Sequence, residues 1–418
     1  MTPTVQSTAP PSALSPYLTD QHQALWQEAD DFAADEVAPR IGRWEANPER
    51  VASTVAKLMA SRRWFAVTVP PRFGGMGAGH VAKSVLIHRI GRVSAAVAAI
   101  LQATHIPAHA LDMWGTVEQR ALWLPQVADG SVLLSIASTE PEAGGHIGGI
   151  ETTAERDGRG WVITGRKAHV GNSHIAGAHV VLARTAERGV SASRALTAFL
   201  VESGRKRLTV RRHMPSLGLH GFSFGRLDLD RVRVPEENVL GEVGQGMAVG
   251  QSASILCGRP NITAISLGIH DALVETTTRF LEGRPRYGKR LSDQPVVRDR
   301  LGAMEGRLRT ARDLAYHAVH LLDRGHSCDA ELINAKLQGH QLASLSAVDA
   351  MELHGAQGLT DQVLQRLWRD IPHTYAPAGT AEVQRLRLAD AALDEDPRSW
   401  SEYLAAQNAW ASTEPAPA

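Results

Sequence analysis

The chain has 418 residues, room for two or three domain cores or one large layered unit, and its 44 Lys and Arg balance its 44 Asp and Glu. A net charge of zero provides no overall field to gather nucleic acid or anionic lipid, so an anionic ligand must be held by local clusters. Two cysteines, Cys257 and Cys328, are too few for a disulfide framework and lack metal-ligand spacing, which points to a reducing cytoplasm and to no metal site.

Residues 1–18 are rich in Ser, Thr, Pro and Ala and are expected to be disordered, without the basic flank and apolar run of an export signal. No apolar stretch approaches the roughly 20 residues that cross a bilayer, so no membrane association is expected. From 19 to 134 the pattern is helical: Leu25, Trp26, Ala29, Phe32, Ala33 and Val37 recur at three- and four-residue spacing, and Pro70 to Gly77 interrupt it as a loop. Between 135 and 241, short β-rich pieces such as Trp161 to Thr164, Val180 to Ala183 and Leu196 to Val201 alternate with Gly, Asp and Arg, predicting a small antiparallel sheet domain. Helical spacing resumes from 242 to 405, as in Leu301, Met304, Leu308, Ala311, Leu314 and Ala315, and 406–418 read as a disordered tail. Helices, then strands, then helices make an α+β chain. The absence of βαβ alternation argues against a dinucleotide-binding parallel sheet.

Several segments suit a bound cofactor or thioester. Ser138-Thr139-Glu140-Pro141-Glu142-Ala143-Gly144-Gly145 is a small-residue loop whose exposed backbone can lie against a flat ring and its phosphates. Trp161-Val162-Ile163-Thr164-Gly165-Arg166-Lys167-Ala168-His169-Val170-Gly171-Asn172 is a strand that ends in a His and a Gly. Leu227 to Gly241 form a second strand, which leads into the last helices. Arg284-Pro285-Arg286-Tyr287-Gly288-Lys289-Arg290-Leu291 clusters guanidinium groups suited to a diphosphate, although a solvated basic loop explains them equally well in isolation. Leu353-His354-Gly355-Ala356-Gln357-Gly358-Leu359 permits close backbone approach at its glycines. Arg369-Asp370 and Tyr375-Ala376-Pro377-Ala378-Gly379-Thr380-Ala381-Glu382-Val383 follow.

In order and spacing, over roughly Gln21 to Leu393, these segments resemble the acyl-CoA dehydrogenase family. The resemblance implies an N-terminal helical domain, a middle antiparallel β domain and a C-terminal four-helix bundle. It also implies FAD, an acyl thioester on CoA or an acyl carrier protein, an electron-transfer partner, and a homodimer or homotetramer that shares FAD across its interface. Cofactor contacts carry over to Ile136, Ser138, Thr139, Gly144, Gly145, His169, Gly171, Arg284, Arg286, Tyr287, Gln294, His354, Gly355, Gly358, Thr380 and Glu382, and substrate contacts to Gly145, Arg259, Ala378 and Gly379. The family's Gln after the basic loop aligns with Pro295, so Gln294 stands one position early.

The departures fall at the redox centre. Counting from Arg369-Asp370 to Gly379-Thr380 puts Ala378, not Glu382, where the family's catalytic Glu removes the α-proton of the thioester. The family's second base position, before the Arg matched by Arg259, is Gly258. His169 and Gly171 replace the Trp and Thr that border the flavin. His169 is therefore the first candidate for a catalytic replacement, ahead of His146, His220, His373 and Tyr375. Three functions are consistent with this pattern: a thioester oxidoreductase of specialised biosynthesis with altered chemistry, a flavin-dependent monooxygenase or oxidase whose ring face Gly171 opens, and a non-redox or structural thioester binder.

Overall fold

The computed structural model describes residues 9–186, 190–211, 215–395 and 399–411. Its first layer is helical: α1 (Asp20–Phe32), α2 (Ile41–Ala46), α3 (Ser53–Ser61), α4 (Gly79–Val93), α5 (Ala95–Trp114) and α6 (Val117–Ala128). Local chemistry sets the starts of these helices. Thr19 caps α1, the Ser94 hydroxyl accepts from Val97 N–H and so separates α5 from α4, and Thr116 with Gln119 forms a capping box on α6.

The sheet consists of β1 (Leu134–Ala137), β2 (Thr153–Asp157), β3 (Gly160–Gly171), β4 (Ala178–Arg184), β5 (Leu196–Glu202), β6 (Leu208–Val210), β7 (Phe224–Pro235) and β8 (Val239–Leu240), with a short helix α7 (Ala192–Ala195) before β5. Its order is β6-β7-β3-β2-β4-β5-β8, mostly antiparallel, with β1 added beside β4 in parallel register, a pairing the alternation of residues did not disclose. Side chains alternate between two cores. Val180, Leu182, Ala198 and Leu200 enter the helical core, whereas Val181, Ala183, Phe199 and Val201 pack with Trp161, Ile163 and Leu227 on the other face.

The last layer holds α8 (Gly246–Ala253), a π-helical turn at Ser254–Gly258, α9 (Arg259–Gly283), a hairpin of β9 (Pro285–Arg286) and β10 (Lys289–Arg290), α10 (Pro295–Asp323), α11 (Asp329–His354), α12 (Gln362–Asp370), α13 (Ala381–Ala392) and α14 (Trp400–Ala411). Buried charge ties the two helical layers together through Asp271 of α9, which takes His88 of α4 at 2.7 Å and Arg312 of α10 at 2.8 Å, while within the first layer Arg89 pairs with Asp30 at 2.7 Å. No helix among the described residues is long and apolar enough to cross a membrane.

Two expectations need correction. Within 1–18, Leu14 is fully buried in a short helical turn and Leu18 is 7% exposed, while Ala9, Ser12, Ala13, Ser15 and Pro16 stay exposed, because an isolated leucine in a polar segment still docks when a core lies beside it. Within 406–418, residues through Ala411 continue α14, whose Trp400 and Tyr403 pack their rings against Trp114. Residues 1–8 and 412–418 lie outside the described residues.

Candidate active site

Ala378 sits at φ 58°, in the left-handed region, followed by Gly379 at φ 97°. An L-residue there stores of order 1 kcal/mol of strain, so the loop needs external restraint. Two buried side chains supply it. Lys336 Nζ, from α11, donates to the carbonyls of Tyr375 at 2.5 Å and Gly379 at 2.6 Å. Gln384 Nε2, from α13, donates to the carbonyls of Ala378 at 2.9 Å and Gly379 at 3.0 Å. Arg259 Nε in turn donates to Gln384 Oε1 at 2.8 Å and fixes the orientation of that amide. Burial lowers the Lys336 ammonium to about 8, with the nearby Arg259 charge adding to the effect.

The two positions to which the family resemblance assigns a base converge. A Cβ added at Gly258 would lie 3.3 Å from Ala378 Cβ and 3.6 Å from Ile106 Cδ1. One spot is thus served by two backbone positions, and neither offers a carboxylate. Glu382, the acid nearest in sequence, is engaged elsewhere: its carboxylate accepts from Tyr375 Oη at 2.7 Å and from Arg385 at 2.9 Å, and the Tyr375 bond leads the causes that hold it down to about 2. At that value it is a poor proton acceptor near neutrality.

The strand β3 and the loop after β1 approach the same region. The loop is braced from below by the buried pair of Lys167 and Glu140, 2.8 Å apart; Lys167 also donates to Ser138 O, and Glu140 accepts from the N–H groups of Glu151 and Thr152. Ala168 N–H bonds Thr139 O at 2.9 Å, so β3 and the loop move as one. A Cβ added at Gly145 would lie 3.8 Å from Val383 Cγ2, which places the loop beside the Ala378 segment. Gly144 has open space around it. His169 is exposed, at φ 54° on a β-bulge of β3, with its ring 5.2 Å from that of Phe224. Gly171 does not open a face as expected. A Cβ there would meet Phe222 Cζ at 2.8 Å and Ala103 Cβ at 3.3 Å, so aromatic bulk already occupies the place of a larger side chain.

The remaining predicted contacts form a second cluster at the other end of α9, about 36 Å from Arg259 at 1.5 Å per residue. Phe280 stacks on His354 at 4.0 Å and Arg284 lies over the Phe280 ring at 5.7 Å, joining the basic hairpin to the Gly355–Gly358 turn. Arg286 and Tyr287 are exposed, Tyr287 at 94%. Gln294 stands just before α10 beside the hairpin, with no side-chain capping bond, Gly355 is exposed with φ 59°, and His354 is buried with Nδ1 2.7 Å from Ala350 O. One copy of the chain cannot bring this cluster to Ala378.

Structural partners account for most of the other candidates. His220 lies 3.2 Å from Glu45, and His373 lies 3.2 Å from Arg369 O. His146 is exposed beside Gly149. Tyr375 is engaged with Glu382, and Arg369 pairs with Glu45. Thr380 is the residue before α13, not a buried ligand group. Ile136 lies in β1, paired with Val180. Lys336, Gln384, Ile106 and Phe222 were missed from sequence, since nothing in the local pattern around an ordinary helical Lys or Gln signals that it supports a distant loop.

The small-residue loop, the exposed ring of His169 and the separate guanidinium cluster fit a flavin with a diphosphate arm. Comparison with known proteins agrees. Profiles of the acyl-CoA dehydrogenase N-terminal, middle and C-terminal domains match residues 19–131, 135–232 and 244–393. An acyl-CoA dehydrogenase of Bacillus subtilis (strain 168) is 32% identical over 376 residues, which are 89% of this chain and 98% of that protein. The chain belongs to the acyl-CoA dehydrogenase family. With it, the chain joins the flavoprotein oxidoreductases. The butyryl-CoA dehydrogenase of Megasphaera elsdenii superposes with a TM-score of 0.86 at 25% identity, over 90% of this chain and 99% of that one. The FAD complex of PigA superposes at 0.84 with 23% identity, over 90% and 98%, a likeness of fold.

Proposed function

We propose that this acyl-CoA dehydrogenase family member is an atypical FAD-dependent oxidoreductase of specialised metabolism. It holds an acyl thioester, carried by CoA or a carrier protein, and acts on it without the glutamate base of its relatives. The carrying observation is the convergence of Ala378 and Gly258 on one spot with no carboxylate at either. When bound, FAD supplies a hydride acceptor. The chain's own residues hold and shape the site. Lys336, Gln384 and Arg259 lock the Ala378 loop, and the Lys167–Glu140 pair fixes the loop from Ser138 to Gly145 against β3. A methyl group cannot accept a proton, and a missing general base costs about 10²–10⁴-fold in rate, so simple fatty acyl-CoA oxidation is disfavoured. His169, exposed on its bulge, is the group we assign to the remodelled centre.

The purified protein is expected to show flavin absorbance that bleaches anaerobically with its own thioester class and not with butyryl-CoA. Ala378→Glu is expected to leave butyryl-CoA oxidation weak, because the flavin surroundings at His169 and Gly171 also differ. Robust turnover in that variant would show that only the base was lost. A colourless protein that takes up no FAD would support a non-redox binder instead, and fast reaction of the reduced protein with oxygen an oxidase or monooxygenase.

A further inference from the structure

His169 and Gly171, two departures on one strand, are joined through side chains that their own segment does not contain. A Cβ at Gly171 would meet Phe222 Cζ at 2.8 Å, so the Phe222 ring stands in the space that a side chain at 171 would need. Phe222 is 5% exposed, and its ring lies 5.9 Å from that of Phe224, which lies 5.2 Å from that of His169, both pairs tilted by 38°. These are the separations of aromatic rings in contact. The three rings run from a buried base at Phe222, through the half-buried Phe224, to an exposed end at His169.

The base of this row is fixed from both helical layers. Phe222 N–H donates to Leu219 O at 3.0 Å, Leu219 N–H donates to Asp370 Oδ1 of α12 at 2.7 Å, and Gly221 O accepts from Ala52 N–H, just before α3, at 2.8 Å. Gly221, at φ 105°, lets the loop lie on Trp44, since a Cβ there would come 3.0 Å from Trp44 Cδ2. The outer end has no such hold of its own. His169 stands at φ 54° on the bulge of β3, and among the described residues its ring nitrogens make no hydrogen bond. An exposed side chain without a polar partner samples several rotamers unless packing selects one. The packing partner the structure gives it is Phe224.

We infer that Phe222 and Phe224 are positioning residues, which together hold the His169 imidazole, both nitrogens unspent, in the place that borders the flavin. This rests on the assignment of His169 to the remodelled centre above. It makes His169 and Gly171 one change instead of two. A side chain at 171 displaces Phe222, Phe224 then loses its support, and the imidazole loses its orientation. Glycine at 171 is the condition for a held histidine at 169.

The test is NMR of the flavin-loaded protein, isotopically labelled in its histidine rings, with the flavin oxidised and after anaerobic reduction by dithionite. The His169 signal is the one lost in His169→Gln. In the wild type it is expected to be displaced by the ring current of Phe224 and to move when the flavin is reduced. Phe224→Ala should return the signal to the position of an exposed histidine and remove most of its response to reduction, with flavin content and melting temperature close to wild type, because Phe224 is only half-buried. Phe224→Tyr should keep both features. Phe222→Leu, which fills the space beside Gly171 without a ring, should weaken both. A full response in Phe224→Ala would overturn the inference and leave His169 in the centre. Should Phe224→Ala fail to retain flavin, the same readings on Phe222→Leu decide the case, an unchanged response again overturning the inference. A wild-type signal indifferent to flavin reduction would remove both the inference and the assignment of His169.

Discussion

At the scale of single residues, the site combines strain with buried charge. Ala378 is kept in a left-handed conformation, and Lys336 carries an ammonium in a buried position in order to keep it there. That second feature has a measurable pH signature. An unfolded lysine holds its proton up to about 10.5, whereas Lys336 releases it near 8, so between these values the unfolded state binds more protons and stability rises with pH. Below pH 8 the penalty is complete. Denaturant unfolding should show the wild type gaining about 2 kcal/mol relative to Lys336→Met between pH 8 and pH 10; parallel pH profiles would show that Lys336 binds its proton in the fold as tightly as in the unfolded chain. Gly171 makes a steric prediction. Gly171→Thr, which introduces the residue that the family resemblance puts there, must displace Phe222 and should cost about 1–3 kcal/mol. Phe222→Ala in the same chain should recover part of that loss in a double-mutant cycle, and strictly additive effects would contradict the contact.

At the scale of elements, the loop from Ser138 to Gly145 depends on a buried ion pair and not on its own turn chemistry. Lys167 reaches from β3 to Glu140 and Ser138, and the Glu140 carboxylate continues to the backbone before β2, so three segments meet in one pair of side chains. Removing one partner of a buried pair leaves the other charge uncompensated. Glu140→Gln should therefore lose about 3–5 kcal/mol of stability and release flavin more readily, read from its melting temperature and from flavin retained on gel filtration. A variant with unchanged melting and full flavin would show that the loop is held by other contacts. The motif around Ser138 was legible because its spacing to β3 is local in sequence. The role of Glu140 within it was not, because burial of its carboxylate arises only when β3 folds over the loop.

At the scale of the molecule, the two clusters at opposite ends of α9 cannot meet within one copy. The projecting hairpin of Arg284 to Arg290 and the turn at Gly355 to Gly358 sit together, with exposed apolar residues nearby on the bundle surface: Val296, Leu345, Val348 and Leu359 are all at least half exposed. Exposed apolar groups of this density are the usual mark of an interface. Light scattering should give a dimer or tetramer, and Arg284→Glu should lower flavin retention without unfolding the protomer. A stable, flavin-loaded monomer would contradict both expectations.

The sequence by itself determined the order of layers, the strand domain between two helical ones, the family, and the alanine at 378 where the resemblance expects a glutamate. These rest on local patterns: periodicity of apolar residues, turn chemistry, and motif spacing along one chain. Only the tertiary structure decided that Gly258 and Ala378 point to one spot, that Lys336 and Gln384 hold the loop, and that Phe222 fills the space beside Gly171. Each of those facts joins residues far apart in the chain through packing. Burial and close approach are properties of a neighbourhood, and that neighbourhood exists only once helices from both halves of the chain have come together.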